Sequence, residues 1–394
     1  MNVLSWLLIA AALLLLVPVL LFAFQILVAF PGRKPGKLPA GRRPRIAVLV
    51  PAHDEALGIT ATVNNIREQL HADDRLVVVA DNCSDDTAAL ATAAGAEVIV
   101  RQDTSRRGKG YALDFGVRHL SAAAPEAVVI VDADCRLEAG ALEYLSRIGL
   151  ESGRPVQALY LMHAPPHAGL KTRIAAFAWM VKNLLRPLAY HRLGLPCQLM
   201  GTGMYFPWAM ISQAQLASGH IVEDMKLGVD LARAGTPPLF CPDAVVSSVF
   251  PSTGEGVQSQ RTRWEHGHLG MILADTPKML ASALLRADMR LAAMALDLCV
   301  PPLALLLLSM LGLTAVTGLF ALIGGGSLAF AIAFAGTVLL GVSVLLAWLR
   351  CGRDIVSFSD LARAPLYALS KIPLYLRFLV SRQVDWVRSR RDGS

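Results

Sequence analysis

Residues 3–30 contain no charged side chain. As a helix rising about 1.5 Å per residue, such a run crosses the hydrocarbon core of a bilayer, roughly 30 Å thick. Two more runs share this character. Residues 291–323 hold one acid, Asp297, and residues 328–349 hold none before Arg350 and Arg353 close them. Gly324, Gly325 and Gly326 separate the two. Between about residues 45 and 260 the composition is that of an ordinary globular domain. The whole chain is 17% charged with a mean hydropathy of +0.49, whereas a soluble chain carries about 25% charged residues. The organisation expected is a transmembrane helix at 1–30, a basic linker at 31–44 and a cytosolic α/β domain at 45–280. Two transmembrane helices follow at 289–350, then an amphipathic segment at 351–394. The first run is too long for a signal-peptide core and lacks a basic region before it.

Charge sets the direction. Arg33, Lys34, Lys37, Arg42, Arg43 and Arg45 follow the first run. The positive-inside rule then places the N-terminus outside and the middle domain in the cytosol, in a multi-pass arrangement at a bacterial-type inner membrane. The net charge of +7 does not point to nucleic acid, because the basic residues flank apolar segments where anionic lipid is the partner. Segments 170–195 and 361–391 mix basic residues with Trp, Tyr and Leu, a pattern suited to the headgroup layer. The six cysteines have no metal-ligand spacing and are expected to be reduced thiols.

Within the middle domain, three short apolar runs end in acids. Residues 45–50 lead to Glu55, residues 75–80 to Asp81, and residues 127–131 to Asp132 and Asp134. Continuous apolar runs suit parallel strands buried on both faces. Helices expected at 59–70 and 85–94, the latter capped by Ser84 and closed by Gly95, give a βαβ alternation. Ligands bind beyond the carboxyl ends of such strands. Four carboxylates at one edge repel one another unless a cation intervenes, and Mg²⁺ or Mn²⁺ carrying a diphosphate explains them together. Downstream, Glu223 and Asp224 open an expected helix, and Gln260-x-x-Arg263-Trp264 follows.

The ordered set of Asp81, Asp132-x-Asp134, Glu223-Asp224 and Gln260-x-x-Arg263-Trp264 resembles glycosyltransferase family 2, the group of membrane-bound cellulose, chitin and hyaluronan synthases and their non-processive relatives. The resemblance covers about residues 45–270. It implies a GT-A fold, a Rossmann-like, mostly parallel mixed α/β sheet, together with transmembrane and interfacial helices. It also implies inverting transfer of a hexose from a nucleotide-sugar, with UDP-sugars the family default. Glu55 and Asp81 would then hold base and ribose. Asp132 and Asp134 would meet the metal and diphosphate, Asp134 the firmer metal ligand. Asp224 would act as general base beside Glu223, and Arg263 and Gln260 would attend the leaving diphosphate. Trp264 and the turn Gly201-Thr202-Gly203 would receive the acceptor. Lys109, in a Gly-Lys-Gly loop, would touch phosphate or base.

Two positions depart from the family pattern: Val222 stands for the usual Thr and Asp54 for the usual Asn. The acceptor expected is a lipid or lipid-linked sugar in glycolipid or polysaccharide synthesis. A processive synthase that elongates and secretes a polymer is the alternative, and a homo-oligomer or polysaccharide-assembly partners are further candidates. A nucleotidyltransferase or a dead sensor is disfavoured by the intact Asp224 and Arg263, and a transporter by the few spans. The C-terminal Trp386, Arg388 and Arg390 are a candidate lid over the site.

Overall fold

The computed structural model describes residues 3–32, 35–251 and 254–380, with the side chains of 254–261 outside the description. The candidate lid around Trp386 therefore lies outside the described residues. The chain divides into two compact units.

One unit, residues 35–163 and 194–263, is built on an eight-stranded mixed sheet. Its strands are β1 (Ile46–Ala52), β2 (Arg75–Asp81), β3 (Glu97–Arg101), β4 (Ala127–Ile130), β5 (Arg136–Leu137), β6 (Val156–His163), β7 (Met204–Pro207) and β8 (Leu239–Val249). Their order is β3-β2-β1-β4-β7-β6-β8-β5. The first four are mutually parallel, and the three runs expected from sequence are β1, β2 and β4. Each is buried along nearly its whole length, which is why no alternation of polar and apolar residues marks them. One core cluster gathers Leu49, Val79, Val128 and Ile130 from the strands, Leu113 and Val117 from helix Lys109–Leu120, and Leu227 from helix Glu223–Arg233.

Strand β7 runs antiparallel to β4, with Met204 opposite Ile130. The start of β7 therefore lies at the carboxyl end of β4. This register brings Gly201-Thr202-Gly203, just before β7, to the residues just after β4. Strand β6 pairs with β7 at Gln157 and Met204, and the Gln157 amide donates to the Thr202 carbonyl at 2.9 Å while its Oε1 accepts from the Met200 N–H at 2.7 Å.

Local boundaries differ in three places. The helix expected at 59–70 is Ile59–Arg67. The helix expected at 85–94 is Thr87–Ala93. Ser84 does not cap it: its hydroxyl donates to Asp54 instead, and Asp85 accepts from the Thr87 N–H at 3.0 Å. The run 291–323 is not one helix. It forms Met289–Leu298 and Leu303–Leu322, broken at Pro301-Pro302, where ring closure removes backbone donors and blocks a continuous helix.

The other unit comprises residues 3–32, 164–193 and 264–380. Three of its helices, Val3–Ala29, Leu303–Leu322 and Leu328–Cys351, are long and apolar enough to cross a membrane. Small residues let them approach: a side chain at Gly336 would meet Met310 and Leu16. Segment 170–192 is helical with a π turn at Val181–Leu185. It packs on Val3–Ala29 through a polar cluster. The Arg186 guanidinium donates to Gln25 Oε1 at 3.1 Å and to Asp297 Oδ1 at 2.9 Å, and the Gln25 amide donates to the same Asp297 oxygen at 2.7 Å. Arg192 donates to the Val28, Pro31 and Gly32 carbonyls, the last two at 2.8 and 3.1 Å, satisfying acceptors at the end of the first helix.

Candidate active site

Asp81 ends β2 and is buried. Its Oδ1 accepts from the Arg101 guanidinium at 2.6 Å and from the Asn82 amide at 2.9 Å. Arg101 in turn lies over the Tyr111 ring, 5.6 Å from its centroid, and reaches Asp103 at 3.0 Å. Burial pushes the Asp81 carboxyl up from its ordinary value, and Arg101 opposes that push. Neither Arg101 nor Tyr111 stood out in the sequence. The only available signal was a basic residue at a strand end parallel to Asp81, which requires the β2–β3 register to be known. Glu55 follows β1; its N–H donates to Thr87 Oγ1 at 2.8 Å, so the turn is tied to the start of helix Thr87–Ala93.

Asp132 and Asp134 follow β4. With Cys135 they form a group whose ligand atoms lie within 4.8 Å of one another. Cys135 is buried, and burial with the two neighbouring carboxylates holds its thiol protonated. The two carboxylates supply hard oxygen ligands of the kind Mg²⁺ and Mn²⁺ take, and the residues present fit such an ion. The Asp132 N–H donates to Thr202 Oγ1 at 3.0 Å. Thr202 is fully buried, so the turn before β7 fixes the backbone that carries the acids.

Lys109 opens helix Lys109–Leu120. Its ammonium pairs with Asp132 and donates to the Gly201 carbonyl at 2.6 Å. Burial alone would lower it, but Asp132, Glu223 and Asp224 hold it above the ordinary lysine range. The next residue, Gly110, packs where a β-carbon would stand 2.5 Å from the Leu216 carbonyl. Gly201 has φ +95°, and a β-carbon there would reach within 3.4 Å of Asp224 Oδ2 and 3.9 Å of Lys109 Nζ. The loop thus brings its backbone against the acids as only glycine does without strain.

Glu223 and Asp224 open helix Glu223–Arg233, where the helix dipole favours carboxylates. Both are half-buried. Burial, then repulsion from Asp224, pushes Glu223 up to about 7, against the attraction of Lys109 and Arg263. Arg263 thus acts on Glu223, and its Nε is buried without a hydrogen-bond partner among the described residues. The structure therefore brings together Lys109, Asp132, Glu223, Asp224, Gly201 and Arg263. The Gln260 side chain lies outside the described residues, on helix Gly254–Ala274. Trp264 meets Trp179 with ring centroids 4.8 Å apart and the planes tilted by 41°, and Lys182 lies over Trp179 at 5.3 Å.

A family model described as "Glycosyltransferase like family 2" matches residues 44–267. The probable glycosyltransferase YdaM of Bacillus subtilis (strain 168) is 25% identical over 248 residues, 58% of this chain and 56% of its own length. This chain thus spans about half of that relative. Among solved structures, the mannosyltransferase PcManGT from Pyrobaculum calidifontis, in complex with GDP-Man and Mn2+, gives a TM-score of 0.56 at 19% identity, covering 95% of this chain and all of that one. Glucosyl-3-phosphoglycerate synthase from Mycobacterium tuberculosis, solved with Mn2+, UDP and phosphoglyceric acid, gives 0.38 at 21% identity over 57% and 78% of the two chains. The first likeness is one of fold. With more than half of its length matched by the family model, the chain belongs to glycosyltransferase family 2.

Proposed function

We propose that the protein moves one sugar from a UDP-sugar to a lipid or lipid-linked acceptor, with inversion at the anomeric carbon, at the cytosolic face of a membrane. One observation carries this reading: Asp132, Lys109, Glu223, Asp224 and Gly201 converge at the carboxyl edge of the sheet. Asp134 and Asp132 would hold Mg²⁺ or Mn²⁺, whose charge when bound offsets that of the donor diphosphate. The Asp224 carboxylate takes the proton from the acceptor hydroxyl. The acceptor oxygen bonds to the anomeric carbon from one face while the bond to the diphosphate oxygen breaks on the other, the electron pair leaving with the nucleoside diphosphate. Arg263 and Lys109 place positive charge where that negative charge grows. The buried Nε of Arg263, unpartnered among the described residues, is the kind of donor a phosphate oxygen satisfies.

The base subsite favours uracil. Arg101 and Asn82 already fill Asp81 Oδ1, leaving Oδ2 to accept one N–H. Uracil presents a single N–H flanked by carbonyls, whereas guanine presents a pair that calls for both carboxylate oxygens. The acceptor reading rests on the three apolar helices and on the aromatic pair Trp179 and Trp264, a surface on which a sugar ring stacks. Purified protein given a panel of radiolabelled UDP- and GDP-sugars with Mn²⁺ and lipid extract tests the whole reading. Label from one UDP-sugar should pass to a chloroform-soluble product carrying a single added residue. A ladder of long chains would replace this reading with the processive one, and consumption of GDP-sugars alone would refute the base assignment.

A further inference from the structure

Helix Thr276–Arg286 follows the motif-bearing helix Gly254–Ala274, with only the buried Asp275 between them. Thr276, Met279 and Ala283 make its buried face, the spacing that aligns residues on one side of a helix, and it packs against Met289–Leu298. Its other side is not polar. Leu284 is 83% exposed and Leu285 88%, with Leu273 and Met289 exposed beside them. Such a corner in water is unfavourable, because each large apolar side chain forfeits the gain of leaving water. The cations Lys278, Arg286 and Arg290 flank it, all exposed. Asp288 is the one acid in residues 276–290, and its carboxylate is engaged in capping the Arg290 and Leu291 N–H groups at 2.9 and 3.0 Å.

We infer that helix Thr276–Arg286 lies in the surface of an anionic bilayer, with Leu284 and Leu285 among the acyl chains and Arg286, Arg290 and Lys278 against lipid phosphates. Continuity favours lipid over a protein partner. The span Leu303–Leu322 begins five residues after Met289–Leu298, in the same unit. The charge pattern agrees, since an apolar ridge bordered by Arg and Lys is the surface that interfacial helices present to anionic headgroups. Because the helix continues directly from the one bearing Arg263 and Trp264, its docking holds the end of that helix at the lipid surface.

The test uses the full chain in nanodiscs of phosphatidylcholine, with or without phosphatidylglycerol. Leu285→Trp is compared with Leu57→Trp, a position 84% exposed on the sheet unit, after subtraction of the parent fluorescence. The Leu285→Trp signal should be blue-shifted and quenched by bromine-labelled acyl chains, and the Leu57→Trp signal should be neither. Phosphatidylglycerol should deepen the quenching at low salt, and adding Arg286→Gln and Arg290→Gln should abolish that increment. Water-like emission at both positions overturns the proposal, and quenching indifferent to phosphatidylglycerol overturns its anionic part. The inference does not depend on the sugar-transfer reading: lipid quenching stands whether or not any donor is consumed.

Discussion

Lys109 organises the candidate site at the scale of single residues. Its ammonium pairs with Asp132 and feels the charge of Glu223 and Asp224, so Lys109→Met should leave the acid cluster without its internal counter-charge. A charged hydrogen bond is worth about 1.5–3 kcal/mol, so kcat/KM should fall by roughly 10- to 100-fold, as steady-state kinetics would measure. Glu223 gives a pH signature. It keeps its proton to about 7 in the folded protein and only to about 4.3 in an unfolded chain. The folded state therefore binds the extra proton between those values, and the stability this group contributes falls as pH rises through that window. Glu223→Gln cannot ionise. In metal-free protein its Tm should exceed the parent's at about pH 8 and converge with it toward about pH 4, as a thermal melt series would show. A Tm difference that did not vary with pH would refute the assignment. Asp132, Glu223 and Asp224 were legible in the sequence as acids at strand and helix ends. Arg101 and Tyr111 were not, because what selects them is a neighbour in space.

At the scale of elements, β1, β2 and β4 were readable because burial on both faces writes a continuous apolar run. Strand β3, the short β5 and the partners β6, β7 and β8 were not, since their place is fixed by pairing rather than by local pattern. That unread part positions the glycine turn: without the β4–β7 register, Gly201-Thr202-Gly203 has no reason to stand beside Asp132. The Gly-Lys-Gly loop carries a packing constraint as well as a charge. Gly110→Ala would place a methyl 2.5 Å from the Leu216 carbonyl and 2.8 Å from the Ser218 carbonyl. Backbone atoms cannot rotate away, so the cost should be about 1–3 kcal/mol, seen as a lower Tm and a raised donor KM as Lys109 shifts. An unchanged Tm would mean the loop moves freely. The helix 87–93 began later than expected for a related reason: Ser84 serves Asp54 across the turn and leaves the helix start to Asp85.

For the whole molecule, the distribution of charge foretold three long apolar helices, and three are present among the described residues. What the sequence did not disclose is that a second polar cluster ties the membrane-type unit together. Asp297 looked like an isolated acid in an apolar run, yet it accepts from both Arg186 and Gln25. Asp297→Ala should strand the buried Arg186 charge at a cost of about 3–5 kcal/mol, lowering the thermal stability of the detergent-solubilised protein. Asp297→Ala with Arg186→Met should recover part of that loss. In the proposed reaction Asp224 accepts the acceptor's proton in an inverting displacement from a nucleotide-sugar. Its most direct test is the rate and anomeric configuration of product formed from an α-linked UDP-sugar by the parent protein and by Asp224→Asn. The parent should give a β-linked product, and the variant should lose about 10²- to 10⁴-fold in rate with donor binding retained. An α-linked product, or an Asp224→Asn protein as fast as the parent, would contradict it.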